Sequence, residues 1–112
     1  MKLETQKLLY DIAEAARAIK EYTSGLDFPE FRKADMTRAA VERKFEIVGE
    51  ALNRMGRSDP GVLLQISEHE RIIGFRNIIA HGYDVVDVEI IWEVVSSYLP
   101  TLLREVSELL ET

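Results

Sequence analysis

The chain has no cysteine, three prolines and a single tryptophan. Without thiols it can form neither disulfides nor thiolate metal sites. Histidine is scarce as well: His69 and His81 lie twelve residues apart, with no His-x-x-x-His pair and no Glu-x-x-His of the kind that builds di-iron bundles. No bound metal and no cofactor are therefore expected. Gly56 and Gly61 lack the partners of a phosphate-cradling loop, and no serine stands in a nucleophile-elbow context. There is no basic-then-apolar leader and no apolar run near the length of a membrane span, so the expected location is cytoplasmic, with no membrane partner. Repeats, low-complexity stretches and strand-period alternation are missing too.

The 112 residues suit one domain, 1–112, with one core. A hydrophobic share of 46% with 30% charged residues belongs to a folded globular chain. The net charge of -6 argues against a protein that coats nucleic acid with its whole surface. Its distribution is uneven: residues 25–57 hold seven Lys or Arg against six acids, and 58–112 hold three against ten. Any contact with RNA phosphate is expected from the long second helix and Arg76, not from the C-terminal helix.

Leu8, Ile12, Ala15, Ile19 and Tyr22 step by three and four, which predicts a helix over about residues 3–23. Asp27, Pro29 and Glu30 read as a helix start, with the Asp capping and the Glu reaching back. Val41, Phe45, Val48, Leu52 and Met55 form a bundle seam on a second long helix over about 35–55. Gly49 in its middle costs about 1 kcal/mol against Ala, so close approach of another helix is the expected reason. Arg43, Glu46, Glu50 and Arg54 share one flank. They suit either a solvated ion-pair ladder or a cleft lined by Glu50 or Arg54.

Gly56 to Pro60 reads as a helix stop followed by a new cap, and Ser67-x-x-Glu70 as a capping box for the next helix. His69, in that first turn, is read as a surface residue. Asp84 or Asp87 then caps a last helix over about 87–110, with a kink near Ser96-Ser97 imposed by Pro100. The expected fold is all-α: an up-and-down bundle of four main helices plus short ones.

One stretch, Ile72 to Tyr83, places an Arg, an Asn, a His and a Tyr on an apolar helical run. At about 100° per residue, Ile72, Phe75, Ile78 and Ile79 share a core face. Arg76, Asn77, Ala80 and His81 follow another arc. Gly82 is a natural left-handed stop, which leaves His81 in the last turn, where the negative end of the dipole favours the imidazolium form. On the wheel alone, a salt-bridging Arg with a capping His remains open beside an active site.

The run Arg76-Asn77, three residues, His81-Gly82-Tyr83 resembles the signature of the HEPN superfamily, and more narrowly that of the HepT-like toxins. Ile47 to Ala51 and the Trp-containing segment Val88 to Pro100 are similar to the same subfamily, so the likeness covers nearly the whole chain. The resemblance implies metal-independent endoribonuclease activity of a toxin in a toxin–antitoxin pair. Two copies related by a two-fold axis would bring paired motifs to one cleft. His81 would be acid or base, Arg76 would bind and stabilise the phosphate, and Asn77 would orient one of them. Tyr83 would be the residue to which a small nucleotidyltransferase antitoxin attaches AMP. The expected partners are thus RNA, a second copy of the chain and that antitoxin. Two further readings stand beside it: a non-catalytic module that binds a nucleotide or partner, and a purely structural subunit of a nucleotidyltransferase complex.

Overall fold

The computed structural model describes residues 1–81 and 87–111, apart from the His81 side chain. The described residues form α1 (Leu3–Thr23), α2 (Phe28–Lys33), α3 (Asp35–Ser58), α4 (Pro60–Leu63), α5 (His69–His81), α6 (Val88–Glu93), a π-helical turn (Val94–Tyr98) and α7 (Leu99–Glu111). No strand occurs among them. The central helix α3 packs between α1 and α5, and α1 packs in turn on α7.

Helix α1 buries Leu8, Leu9, Ile12, Ala15, Ala16 and Ile19. Tyr22, expected to extend that stripe, is 39% exposed, and the neighbouring Thr23 is buried instead. The Thr23 hydroxyl donates to the Ile19 carbonyl at 2.9 Å, which satisfies the buried group within its own turn. Asp27 and Glu30 make the reciprocal capping box: Glu30 N–H donates to Asp27 Oδ1 at 2.9 Å and Asp27 N–H to Glu30 Oε1 at 3.0 Å. This fixes α2 so that Phe31, fully buried, meets Trp92 of α6 at a ring separation of 5.0 Å.

Two sequence-based expectations are corrected between α3 and α5. Gly56 does not stop α3, which runs on to Ser58. The Asp59 carboxylate, expected to cap α4, makes no cap bond; its Oδ2 accepts from the buried Thr5 hydroxyl at 2.8 Å and ties the start of α1 to the end of α3. Ser67 likewise forms no capping box with Glu70. Its N–H and hydroxyl donate to the Glu105 carboxylate of α7 at 2.9 and 2.7 Å, and α5 begins two residues later. In both places a long-range partner displaced the local one: a donor, Thr5, at Asp59 and an acceptor, Glu105, at Ser67.

The last long helix is interrupted as Pro100 requires. Proline lacks an N–H and crowds the carbonyl one turn back, at Ser96. The chain widens to a π-turn there, with Leu99 N–H donating to Val94 O. Asp87 caps this helix by accepting from Glu89 N–H at 2.9 Å; Asp84, the other expected cap, lies outside the described residues.

Glu42, half-buried on α3, has its carboxyl pushed above the ordinary value of 4.5 by desolvation, with Arg38 opposing and Glu46 adding to the rise. The fold therefore disfavours the charged form. That cost is absent below pH 4.5 and grows as pH rises through the folded-state value. Glu42→Gln should raise the melting temperature at pH 7, and the gap should close below pH 4.5. Melts showing the same gap at both pH values would contradict this.

Candidate functional site

The site is built where α5 crosses α3. Phe75 of α5 is buried and meets Phe45 of α3 edge-to-face at a ring separation of 5.2 Å. That contact sets the rotation of α5, and the next residue, Arg76, is thereby carried about 100° round onto the flank of α3. Gly49 makes this possible. A Cβ built on Gly49 would stand 2.2 Å from Arg76 Cβ and 2.5 Å from its Cγ, so the arginine stem fills the space a side chain would need. The close helix approach expected at Gly49 is present, and what approaches is Arg76 itself.

The guanidinium is held on two sides. Its NH2 donates to Glu50 Oε2 at 3.0 Å and its NH1 to Asn77 Oδ1 at 3.2 Å. Nε is buried and has no hydrogen-bond partner among the described residues. The Arg76 side chain is 24% exposed against 44% for Glu50, so the pair sits at the wall of a cleft. The cleft encloses about 220 Å³ between α1, α3 and α5. Its floor is Leu8, Ile47 and Ala51; its polar walls carry Asp11, Arg43, Glu46, Glu50, Arg54 and Arg76.

Both residues expected to line a cleft, Glu50 and Arg54, do so. Among the described residues the alternative of an ion-pair ladder holds only for Arg43 and Glu46, at 3.2 Å. Glu50 turns to Arg76 instead, which leaves Arg54 without an ion pair among the described residues. Sequence reasoning missed Asp11 and the apolar floor, because nothing in the chain marks which turn of α1 faces the cleft.

The motif stretch itself is partly as expected. Ile72 and Phe75 are buried, and Ile79 is half-buried. Ile78, expected in the core, is 53% exposed beside the exposed Asn77. Helix α5 ends at His81, but the His81 side chain, the Gly82 stop and Tyr83 lie outside the described residues. His69, expected at the surface, is half-buried, and its Nδ1 has no partner among the described residues. No group of three or more potential metal ligands occurs among the described residues. No described helix is long and apolar enough to cross a membrane.

A family model described as "Ribonuclease HepT-like" matches residues 12–109. A candidate RNase of Methanocaldococcus jannaschii is 34% identical over 105 residues, covering 94% of this chain and 95% of its own. A protein of Thermococcus cleftensis named "Probable ribonuclease HepT" is 33% identical over 102 residues, covering 91% and 92%. No solved structure matches the chain.

Proposed function

This chain belongs to the HepT-like ribonuclease family, and from that premise we propose that it is a metal-independent endoribonuclease toxin whose chemistry is carried by Arg76, Asn77 and His81. The observation that carries the reading is the seating of Arg76. A long flexible cation is fixed by a glycine beneath its stem and by acceptors at both terminal nitrogens. Among the described residues two of its five N–H donors are engaged, so the fork keeps donors for a phosphate oxygen. A preorganised cation of this kind stabilises charge that develops on a phosphorane without reorganising when it forms.

Cleavage then needs little else. The ribose 2′-oxygen attacks the adjacent phosphorus, its proton passes to a base, and the 5′-oxygen leaves with a proton from an acid. His81, at the C-terminal end of α5, would exchange those protons, and Asn77 would hold Arg76 in register. One copy offers one such histidine. A two-fold dimer would offer two, and exposed Ile78 beside the motif gives that face an apolar residue for a second copy to cover. Light scattering showing only monomer at micromolar concentration would remove the paired arrangement.

The products test the chemistry. Attack by the 2′-oxygen leaves 2′,3′-cyclic phosphate and 5′-hydroxyl ends, whereas metal-activated water leaves other termini. Ends carrying a 5′-phosphate would contradict this route.

Control by a nucleotidyltransferase antitoxin is part of the same proposal, through AMP attached to Tyr83. The residue lies two positions past His81, and a phosphodiester there would bring negative charge to the place where substrate phosphate binds. Incubation with the partner enzyme and ATP should raise the mass of this chain by one or more AMP units and silence it. Tyr83→Phe should stay active and resist silencing. A Tyr83→Phe chain neutralised as readily as the wild type would overturn this control.

A further inference from the structure

The walls of the cleft are balanced in a way that a site for phosphate alone would not be. Three carboxylates, Asp11, Glu46 and Glu50, face three guanidinium groups, Arg43, Arg54 and Arg76. Their formal charges cancel, so the cleft has no net pull on a bare anion beyond the fork of Arg76. What it offers instead is two kinds of fork. A carboxylate only accepts hydrogen bonds and presents two oxygens side by side; a guanidinium only donates and presents two N–H groups side by side. A ligand that satisfies both must carry an adjacent donor pair and an adjacent acceptor pair on one rigid body.

Among RNA bases, guanine alone does so. Its N1–H and N2–H₂ groups form the donor pair, and O6 and N7 form the acceptor pair. Adenine and cytosine place their amino group beside an acceptor, and uracil flanks its single N–H with two carbonyls. Size and lining agree. A volume of about 220 Å³ suits one ring system and is below the range of sites for larger ligands. The Leu8, Ile47 and Ala51 floor is an apolar surface on which a splayed base can lie.

Two side chains are placed and available. Glu46 gives one oxygen, Oε2, to Arg43 at 3.2 Å, and its Oε1 takes no hydrogen bond among the described residues. Arg54 has no ion pair among the described residues. They stand eight residues apart on α3, a backbone rise of about 12 Å, and both side chains line the same cavity, so their heads can converge on one ring system. Arg76 lies against the same cavity, so a base here would belong to the nucleotide next to the phosphate it holds.

We propose that this cleft is a guanine subsite, in which Glu46 accepts from the N1–H and N2–H₂ edge and Arg54 donates to O6 and N7, and that it selects where RNA is cut. The proposal rests on the ribonuclease reading for its biological use, but not for its test. Five-nucleotide RNAs with 2′-O-methyl groups on every ribose cannot be cleaved, and they differ only at a central guanine, inosine, 7-deazaguanine or adenine within uridines. Titrated against the full-length chain, the guanine oligomer should bind about tenfold or more tighter than the adenine one. Inosine, which lacks the N2 amino group, and 7-deazaguanine, which lacks the N7 acceptor, should fall between. Glu46→Gln should erase the difference between guanine and inosine, and Arg54→Ala that between guanine and 7-deazaguanine, each with an unchanged thermal melt. Equal binding of the guanine and adenine oligomers would overturn the subsite, as would full guanine preference in both variants. Guanine preference for free GMP but not in the oligomers would overturn it as a reader of RNA. If the oligomers show the preference and unprotected RNA is left intact, the subsite stands and the ribonuclease reading fails.

Discussion

Arg76→Ala should lower the rate of RNA cleavage by about a hundredfold or more, the usual cost of removing a preorganised charge from a phosphoryl or acyl transition state. The stem of Arg76 also covers Gly49, and its head pairs with Glu50. Truncation therefore removes packing as well as charge, with an expected loss of about 1 kcal/mol of stability. The helix wheel places Arg76 on an arc away from the core and suggests no structural cost; its seating on α3 corrects that. Arg76→Lys separates the two roles. Lysine keeps a stem and a charge but loses the planar fork, so it should recover most of the stability and little of the rate. Thermal melts and cleavage rates of the two variants check this, and a lysine variant cleaving at the wild-type rate would contradict it.

Gly49→Ala should destabilise the protein, although alanine is the better helix former by about 1 kcal/mol. The new Cβ would sit 2.2 Å from Arg76 Cβ, which is fixed to the α5 backbone and cannot swing aside. Helix α5 must move off α3. Overpacking of this kind costs about 1–3 kcal/mol, and the displacement takes the guanidinium away from Glu50, so cleavage should fall with it. Gly74→Ala is the control: it lies on α5, and its Cβ would meet nothing within 4 Å. There the propensity gain is unopposed, and stability should rise by about 0.5–1 kcal/mol. A Gly49→Ala chain that melts above the wild type would show that α5 approaches α3 less closely than described.

The contrast between these glycines marks what a reader of the sequence can and cannot see. Gly49 was legible because a helix breaker in the middle of a strong seam needs a tertiary reason. The partner, Arg76, was recognisable on its own helix, but the meeting of the two depends on how α5 is rotated by Phe45 and Phe75. The capping box at Asp27 and the break before Pro100 were legible because each is a local rule with a local partner. Gly56, Asp59 and Ser67 misled for the opposite reason. At Gly56 the helix simply runs on to Ser58, and at Asp59 and Ser67 the local roles lost to distant partners, the Thr5 hydroxyl and the Glu105 carboxylate. Ile78 shows the limit of the helical wheel. The spacing assigned it to the core, yet α5 has helix neighbours on α3 only along part of its girth, and Ile78 stays exposed. In sequence the flank of α3 suits a ladder and a cleft equally. Its chemistry became plain only once Asp11 of α1 and Arg76 of α5 were seen facing it.

The proposed chemistry uses the histidine of the motif beside Arg76 and needs no metal. Initial rates of RNA cleavage in excess EDTA, for purified wild type beside His81→Ala, test it most directly. The wild type should keep full activity in the chelator, and the variant should be slower by about a hundredfold or more, with identical helix content. Activity abolished by EDTA and restored by a divalent metal, or a His81→Ala chain as active as the wild type, would contradict it.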